Sequence, residues 1–154
     1  MARELKIGII SDTHGLLRPE AVAALAGVDH ILHAGDVGDP GILNALRGIA
    51  PLTAIRGNVD VSGVCAALPA TEVVELGGAL FYMVHSVRDL DIVPKAAGVS
   101  VVVSGHSHRP EIVERAGVLY VNPGSAGPVR FRLPVTLARG TVVDGAVRAH
   151  LITL

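Results

Sequence analysis

The chain has 154 residues, with 13 Lys and Arg against 14 Asp and Glu and a formal net charge of −1. That is one domain's length, and no basic excess marks a nucleic-acid or membrane-surface binder. Its single cysteine, Cys65, excludes a disulfide framework and a cysteine zinc finger, and an apolar half with 18% charged residues argues against disorder.

Mean hydropathy is +0.53, yet the apolar runs are strand-length, whereas a spanning helix needs ~20 apolar residues. The start, Met1-Ala2-Arg3-Glu4-Leu5-Lys6, places charges before a short strand and does not read as a signal peptide. A cytoplasmic, reducing location is the resulting expectation.

In chain order, Lys6 to Ile10 reads as a strand and Pro19 to Leu25 as a helix with Pro at its first turn. His30 to Leu32 is a second strand, Gly41 to Leu46 a short helix, and Leu52 to Ile55 a third strand. This alternation predicts parallel strands in an α/β domain. Glu72 to Leu76 and Ala79 to His85 then flank Gly77-Gly78, a hairpin signal. Val99 to Ser104 is almost all Val, as expected of a strand buried on both faces. Ile112 to Glu114 and Val118 to Val121 flank Ala116-Gly117, and Pro134 to Val143 and Ala146 to Thr153 flank Asp144-Gly145. The expected architecture is two packed mixed sheets with helices outside, an αββα sandwich, formed as one domain over residues 1–154.

Polar residues gather at the strand ends. They are Asp12-Thr13-His14-Gly15, Gly35-Asp36, Gly57-Asn58-Val59-Asp60, His85-Ser86 and Gly105-His106-Ser107-His108. The motifs follow one another at intervals of roughly one strand plus one connection, so parallel strands would bring all five to one edge, where α/β domains place their sites. Asp12, His14, Asp36, Asn58, His85, His106 and His108 offer oxygen and imidazole ligands that suit Mn, Fe, Zn, Co or Ni. Seven are too many for one tetrahedral ion and fit two ions sharing a carboxylate. Two divalent ions, two Asp and a bridging hydroxide leave a net charge near +1, which would attract a phosphate.

The ordered set Asp12-x-His14, Gly35-Asp36, Gly57-Asn58, His85 and Gly105-His106-x-His108 resembles the calcineurin-like metallophosphoesterases, closest to their small bacterial and archaeal phosphodiesterase branch. Asn122-Pro123-Gly124-Ser125, followed by Arg130, is similar to that branch's closing segment. The resemblance implies one metal at Asp12, His14, Asp36 and His108, and a second at Asn58, His85 and His106, with Asp36 bridging. It implies Mn²⁺ first among the candidate ions, a metal-bridging water as nucleophile, and catalysis carried by Asp36, Asn58 and His106. Arg130 would meet the phosphate of a small ester substrate, since Arg suits bidentate phosphate contact.

Two positions depart from the family pattern. Val59 stands where many members carry a His that acts on the leaving group, and Ser86-Val87 replaces a usual Gly and second His. General-acid catalysis contributes ~10²–10⁴-fold, so without it good leaving groups are favoured, unless water or Asp60 supplies the proton. The alternative reading is a non-catalytic protein-binding scaffold on the same fold, as in the retromer subunit of the superfamily. Nuclease action is the weakest reading, for want of stacking aromatics. A homo-oligomer is permitted but not required.

Simpler roles are expected elsewhere. Asp12 and Asp36 as mere caps and turn formers would leave four imidazoles at one edge unexplained. Gly35, Gly57 and Gly105 fit both tight turns and close approach to ions. His30, His33 and His150 read as structural, Cys65 as a packed thiol, Arg56 and Arg88 as solvated surface, and Asn122 as a turn residue.

Overall fold

A computed structural model describes residues 3–154; Met1 and Ala2, which open the charged N-terminal stretch, lie outside the described residues. In chain order it contains β1 (Leu5–Ile10), α1 (Pro19–Ala24), β2 (His30–His33), α2 (Pro40–Arg47), β3 (Leu52–Ala54) and α3 (Gly63–Ala66). There follow β4 (Thr71–Leu76), β5 (Ala79–Val84), β6 (Val101–Val103), β7 (Glu111–Arg115), β8 (Val118–Asn122), β9 (Thr136–Val143) and β10 (Ala146–Thr153). No helix among the described residues is long and apolar enough to cross a membrane.

The strands form two mixed five-stranded sheets, ordered β10-β9-β1-β2-β3 and β4-β5-β6-β8-β7. In the first, β1, β2 and β3 run parallel; in the second, β5, β6 and β8 do. The sheets pack face to face, as the sequence predicts. Period-two alternation sends Ile7 and Ile9 of β1 inward against Phe81, Met83, Val101 and Val103 of the second sheet.

The first sheet's outer face carries the helices, with Leu25, Leu43 and Leu46 packed on Ile10, Ile31 and Leu137. A Cβ at Gly8 would run into the Leu25 side chain, so a glycine there lets the α1 segment lie close. Pro40 opens α2, and Asp39 caps it by accepting the Gly41 N–H at 2.7 Å. The second sheet's outer face is covered differently. A 3-10 turn at Val87–Asp89 and the chain leading to Val99 lie over Tyr82, Val84 and Val102.

All three hairpin signals give turns with positive φ at both central residues: Gly77-Gly78 (59° and 86°), Ala116-Gly117 (50° and 77°) and Asp144-Gly145 (49° and 78°). This type I′ geometry follows the right-handed strand twist. Most elements differ from the sequence reading by one or two residues at an end, and two differences have a specific physical reason. The valine strand is regular only over Val101–Val103: the Val99 N–H is taken by Pro94 O in the preceding turn, at 2.9 Å, while Ser104 N–H still reaches Val121 O of β8 at 3.0 Å. The one-turn α3 carries no apolar periodicity and went unpredicted.

Candidate metal centre

The C-terminal ends of β1, β2, β3, β5 and β6 point to one edge of the sandwich, and all five motifs follow them there. Backbone bonds fix the loops to one another. Asp12 N–H donates to Gly35 O at 3.0 Å, His14 N–H to Asp36 O at 2.9 Å, and Gly105 N–H to His85 O at 2.8 Å.

The seven side chains converge in two groups. In the first, the ligand atoms of Asp12, His14 and His108 lie within 4.8 Å of one another, and in the second those of Asp36, His85 and His106 do so. His14 Nε2 is 3.3 Å from His108 Nε2, and Asp12 Oδ1 is 3.4 Å from His108 Nε2. Asn58 Oδ1 joins the second group, 3.1 Å from His85 Nε2 and 3.2 Å from His106 Nδ1. Asp36 Oδ2 touches both groups, 3.4 Å from His14 Nε2 and 3.2 Å from His85 Nε2.

The donor chemistry fits cations. Asp12 is fully buried; its Oδ2 accepts from Ser11 Oγ at 2.7 Å and from His106 N–H at 3.1 Å. Among the described residues its Oδ1, turned to the histidines, is buried with no hydrogen-bond partner, as is His108 Nδ1. Such orphaned atoms are rare and call for a ligand or an ion. His85 donates its Nδ1–H to Ala34 O at 2.7 Å, which turns Nε2 toward Asp36 and Asn58.

Electrostatics agree with the geometry. Burial works against ionising Asp12, yet His108, His14, His85 and Ser11 outweigh it and hold the carboxyl well below the usual range. Burial likewise opposes ionising Asp36, but the hydrogen bonds from His85 and the Val59 N–H prevail and lower it. Burial opposes a charge on His85, but Asp36 and Ala34 O raise its pKa. Two anionic carboxylates amid imidazoles are a receptor for positive charge.

Local strain concentrates here. Asp12, His14, Asp36, His106 and His108 all have positive φ, between 47° and 69°. Such conformations are uncommon outside glycine and cluster at functional sites. The glycines divide by mechanism. Gly35 has φ of +102°, and a Cβ there would lie 2.6 Å from His85 Nδ1. Gly57 and Gly105 have no positive φ; a Cβ would strike the Asp36 carboxylate at the first and Ser11 Oγ at the second. For those two, close approach is the reason for glycine.

Several supporting groups were not legible as such. Asp60 is buried and accepts from Val37 N–H (3.1 Å), Gly38 N–H (3.0 Å) and Gly57 N–H (2.9 Å). With its oxygens so committed, Asp60 holds the loops of Asp36 and Asn58 together and is not placed to serve as a proton donor. Val59 contributes through its backbone, donating its N–H to Asp36 Oδ1 at 3.0 Å. His33 is fully buried: it accepts the Gly35 N–H at 3.1 Å and contacts Thr13 Oγ1 at 3.0 Å, tying the first two loops. Asn122 has the expected structural role, donating to Gly105 O at 3.0 Å and Ser107 Oγ at 3.1 Å.

Clefts open on both sides of His106. One is lined by Arg88, His108, Arg130 and Phe131, the other by Arg56, Asn58, His85 and Arg88. Arg130 thus sits beside the centre, and so do Arg56 and Arg88, although the sequence had suggested plain solvated surface for those two. His30 bonds Thr53 at 2.8 Å and His150 lies on exposed β10, both away from the centre. Cys65 is buried among the helices, as expected of a packed thiol.

Residues 5–145 match the family model for the calcineurin-like phosphoesterase superfamily domain. A protein named "Probable metallophosphoesterase" from Methanocaldococcus jannaschii is 34% identical over 161 residues, covering 96% of this chain and 81% of its own length. Among solved structures, one described as a novel archaeal phosphodiesterase superposes with TM-score 0.80 at 23% identity, over 96% of this chain and 100% of that one. Vacuolar protein sorting 29 from Cryptosporidium parvum also reaches TM-score 0.80, at 17% identity over 98% of both chains. At those identities the structural likenesses speak for the fold alone. The match along the sequence, over nearly its whole length, settles descent: the chain belongs to the calcineurin-like phosphoesterase superfamily.

Proposed function

We propose that the chain is a binuclear metal-dependent phosphodiesterase acting on small phosphate esters. Asp12, His14 and His108 would hold one divalent ion and Asn58, His85 and His106 the other, with Asp36 shared; Mn²⁺ is the first candidate, then Fe, Zn, Co and Ni. The observation that carries this reading is the position of Asp36, whose Oδ2 faces one histidine of each group at 3.4 and 3.2 Å. Ions bound there would supply Lewis acidity and an activated water at neutral pH.

The chain's own residues supply the remaining steps. Asp36 is aimed by the Val59 N–H on Oδ1, and Asp12 by Ser11 and the His106 N–H on Oδ2. Arg130, in the cleft beside His106, would grip the non-reacting phosphate oxygens and orient the ester. No side chain in the loop after β3 offers the leaving group a proton: Val59 cannot, and Asp60 is bound to three N–H groups. The preference is therefore for esters of acidic alcohols, such as phenols.

The test is metal content of purified protein together with turnover of nitrophenyl mono- and diesters under Mn²⁺. Two ions per chain and faster diester turnover are expected, with Asp36→Asn and His106→Ala losing both metal and rate. A wild-type protein that takes up no transition metal, or variants with full activity, would overturn the proposal. A protein-binding role has one observation in its favour: exposed Leu16, Val61 and Val87 stand in the segments that follow β1, β3 and β5, with exposed Val64 on α3. That reading predicts no ester turnover even with both ions bound.

A further inference from the structure

Residues 130–133 form a tight turn in which Leu133 N–H donates to Arg130 O at 2.9 Å. The central residues, Phe131 and Arg132, have φ of +55° and +58°. Positive φ at both positions is the type I′ pattern, which favours Asn-Gly, Asp-Gly or Gly-Gly. The chain obeys that preference in its three hairpins, each with glycine at the second central position. Here it places a bulky aromatic and an arginine in the same conformation, and a bulky residue at positive φ is a true outlier.

Packing does not offset the strain, because Phe131 is 83% exposed. The chain has only four aromatic residues. Phe81 and Tyr82 are buried in β5, and Tyr120 packs against the outer cluster of the second sheet. Phe131 is the aromatic left to solvent, and it lines the same cleft as His106, His108 and Arg130. Strain maintained without a folding return, beside a reactive centre, points to a ligand.

We propose that Phe131 is a specificity-determining residue. Its ring stacks on a planar aromatic group carried by the substrate, while the neighbouring Arg130 meets the phosphate. The substrate class is then phosphate esters of an aryl or nucleoside group, within the phosphoesterase reading above. A single exposed ring accepts one base or one aryl group, not a run of stacked nucleotides.

The experiment uses the Mn²⁺-loaded protein and calorimetric binding of phenylphosphonate, methylphosphonate and thymidine 5′-phosphate. Wild type is expected to bind phenylphosphonate or thymidine 5′-phosphate roughly tenfold or more tighter than methylphosphonate, the scale of one stacking contact. Whichever aromatic ligand binds tighter tells aryl from nucleoside. Phe131→Gly should remove that preference, leave methylphosphonate affinity and metal content within twofold, and raise the melting temperature by relieving the turn. Phe131→Leu should also lose the preference, having no aromatic face. Equal affinities in wild type, or a preference that survives both substitutions, would refute the assignment. So would a clear fall in melting temperature for Phe131→Gly, which would show that the ring serves folding. If the aromatic preference holds but no diester is hydrolysed, the binding inference stands and the catalytic reading fails.

Discussion

Asp60→Asn replaces a buried oxygen with an amide nitrogen while keeping the side chain's shape. The best orientation leaves the amide oxygen at the Oδ2 position, facing Val37 N–H and Gly57 N–H, and points the NH₂ at Gly38 N–H. One bond from a charged acceptor is lost, worth about 1.5–3 kcal/mol. The two that remain become neutral and roughly half as strong. The expected loss is about 3–6 kcal/mol, or roughly 6–24 °C in Tm for a chain of this length. The tied loops carry Asp36 and Asn58, so Mn²⁺ affinity should also fall by about 10–100-fold, as for other groups that orient ligands. Thermal denaturation of metal-free protein measures the first effect and titration with Mn²⁺ the second. A Tm within about 3 °C of wild type, with unchanged Mn²⁺ affinity, would refute the claim that this carboxylate holds the centre's two halves together.

Gly57→Ala should weaken metal binding by at least tenfold, because its Cβ would strike the Asp36 carboxylate, while Gly63→Ala, strained at φ +65° but facing open space, should lower Tm by a few degrees with metal affinity intact. Burial pushes the His33 pKa down to about 4, and the pull of Asp12 and Asp60 recovers only part of that. The unfolded chain protonates this residue near 6.5, so its contribution to stability is complete above that pH and is lost as pH falls from 6.5 toward 4, by about 3 kcal/mol at most. His85, with its pKa raised in metal-free protein, works in the opposite direction. Comparing His33→Gln with wild type across that range cancels the His85 effect, and equal slopes would dismiss the buried-neutral assignment. Val59→His should raise turnover of alkyl esters by at least tenfold and leave nitrophenyl esters nearly unchanged, measured as kcat for the two series under Mn²⁺.

The ligand-type residues were legible because chemistry at strand ends leaves a compositional mark: His106 and His108 follow a pure valine strand and have no folding reason to be there. The sheets were legible through turn chemistry, since Gly77-Gly78, Ala116-Gly117 and Asp144-Gly145 all carry the φ values their residue types favour. What escaped was whatever works through the backbone. The Val59 N–H on Asp36 belongs to a residue whose side chain signals nothing. Asp60, set among candidate ligands, looked like a proton donor because a sequence cannot show three N–H groups already facing it. Phe131 carries no mark in the sequence, since only its φ and exposure distinguish it.

The two sheets divide the centre between them. The first supplies Asp12, His14, Asp36 and Asn58 from the ends of β1, β2 and β3; the second supplies His85, His106 and His108 from the ends of β5 and β6. Neither sheet alone can assemble either group of donors. A cation bound across this seam would act as a rivet through the sandwich, and its binding energy would add directly to the cohesion of the two halves. Substitutions deep in the interface, such as Met83→Ala or Val103→Ala, would then be felt first as weakened metal retention, well before the chain unfolds.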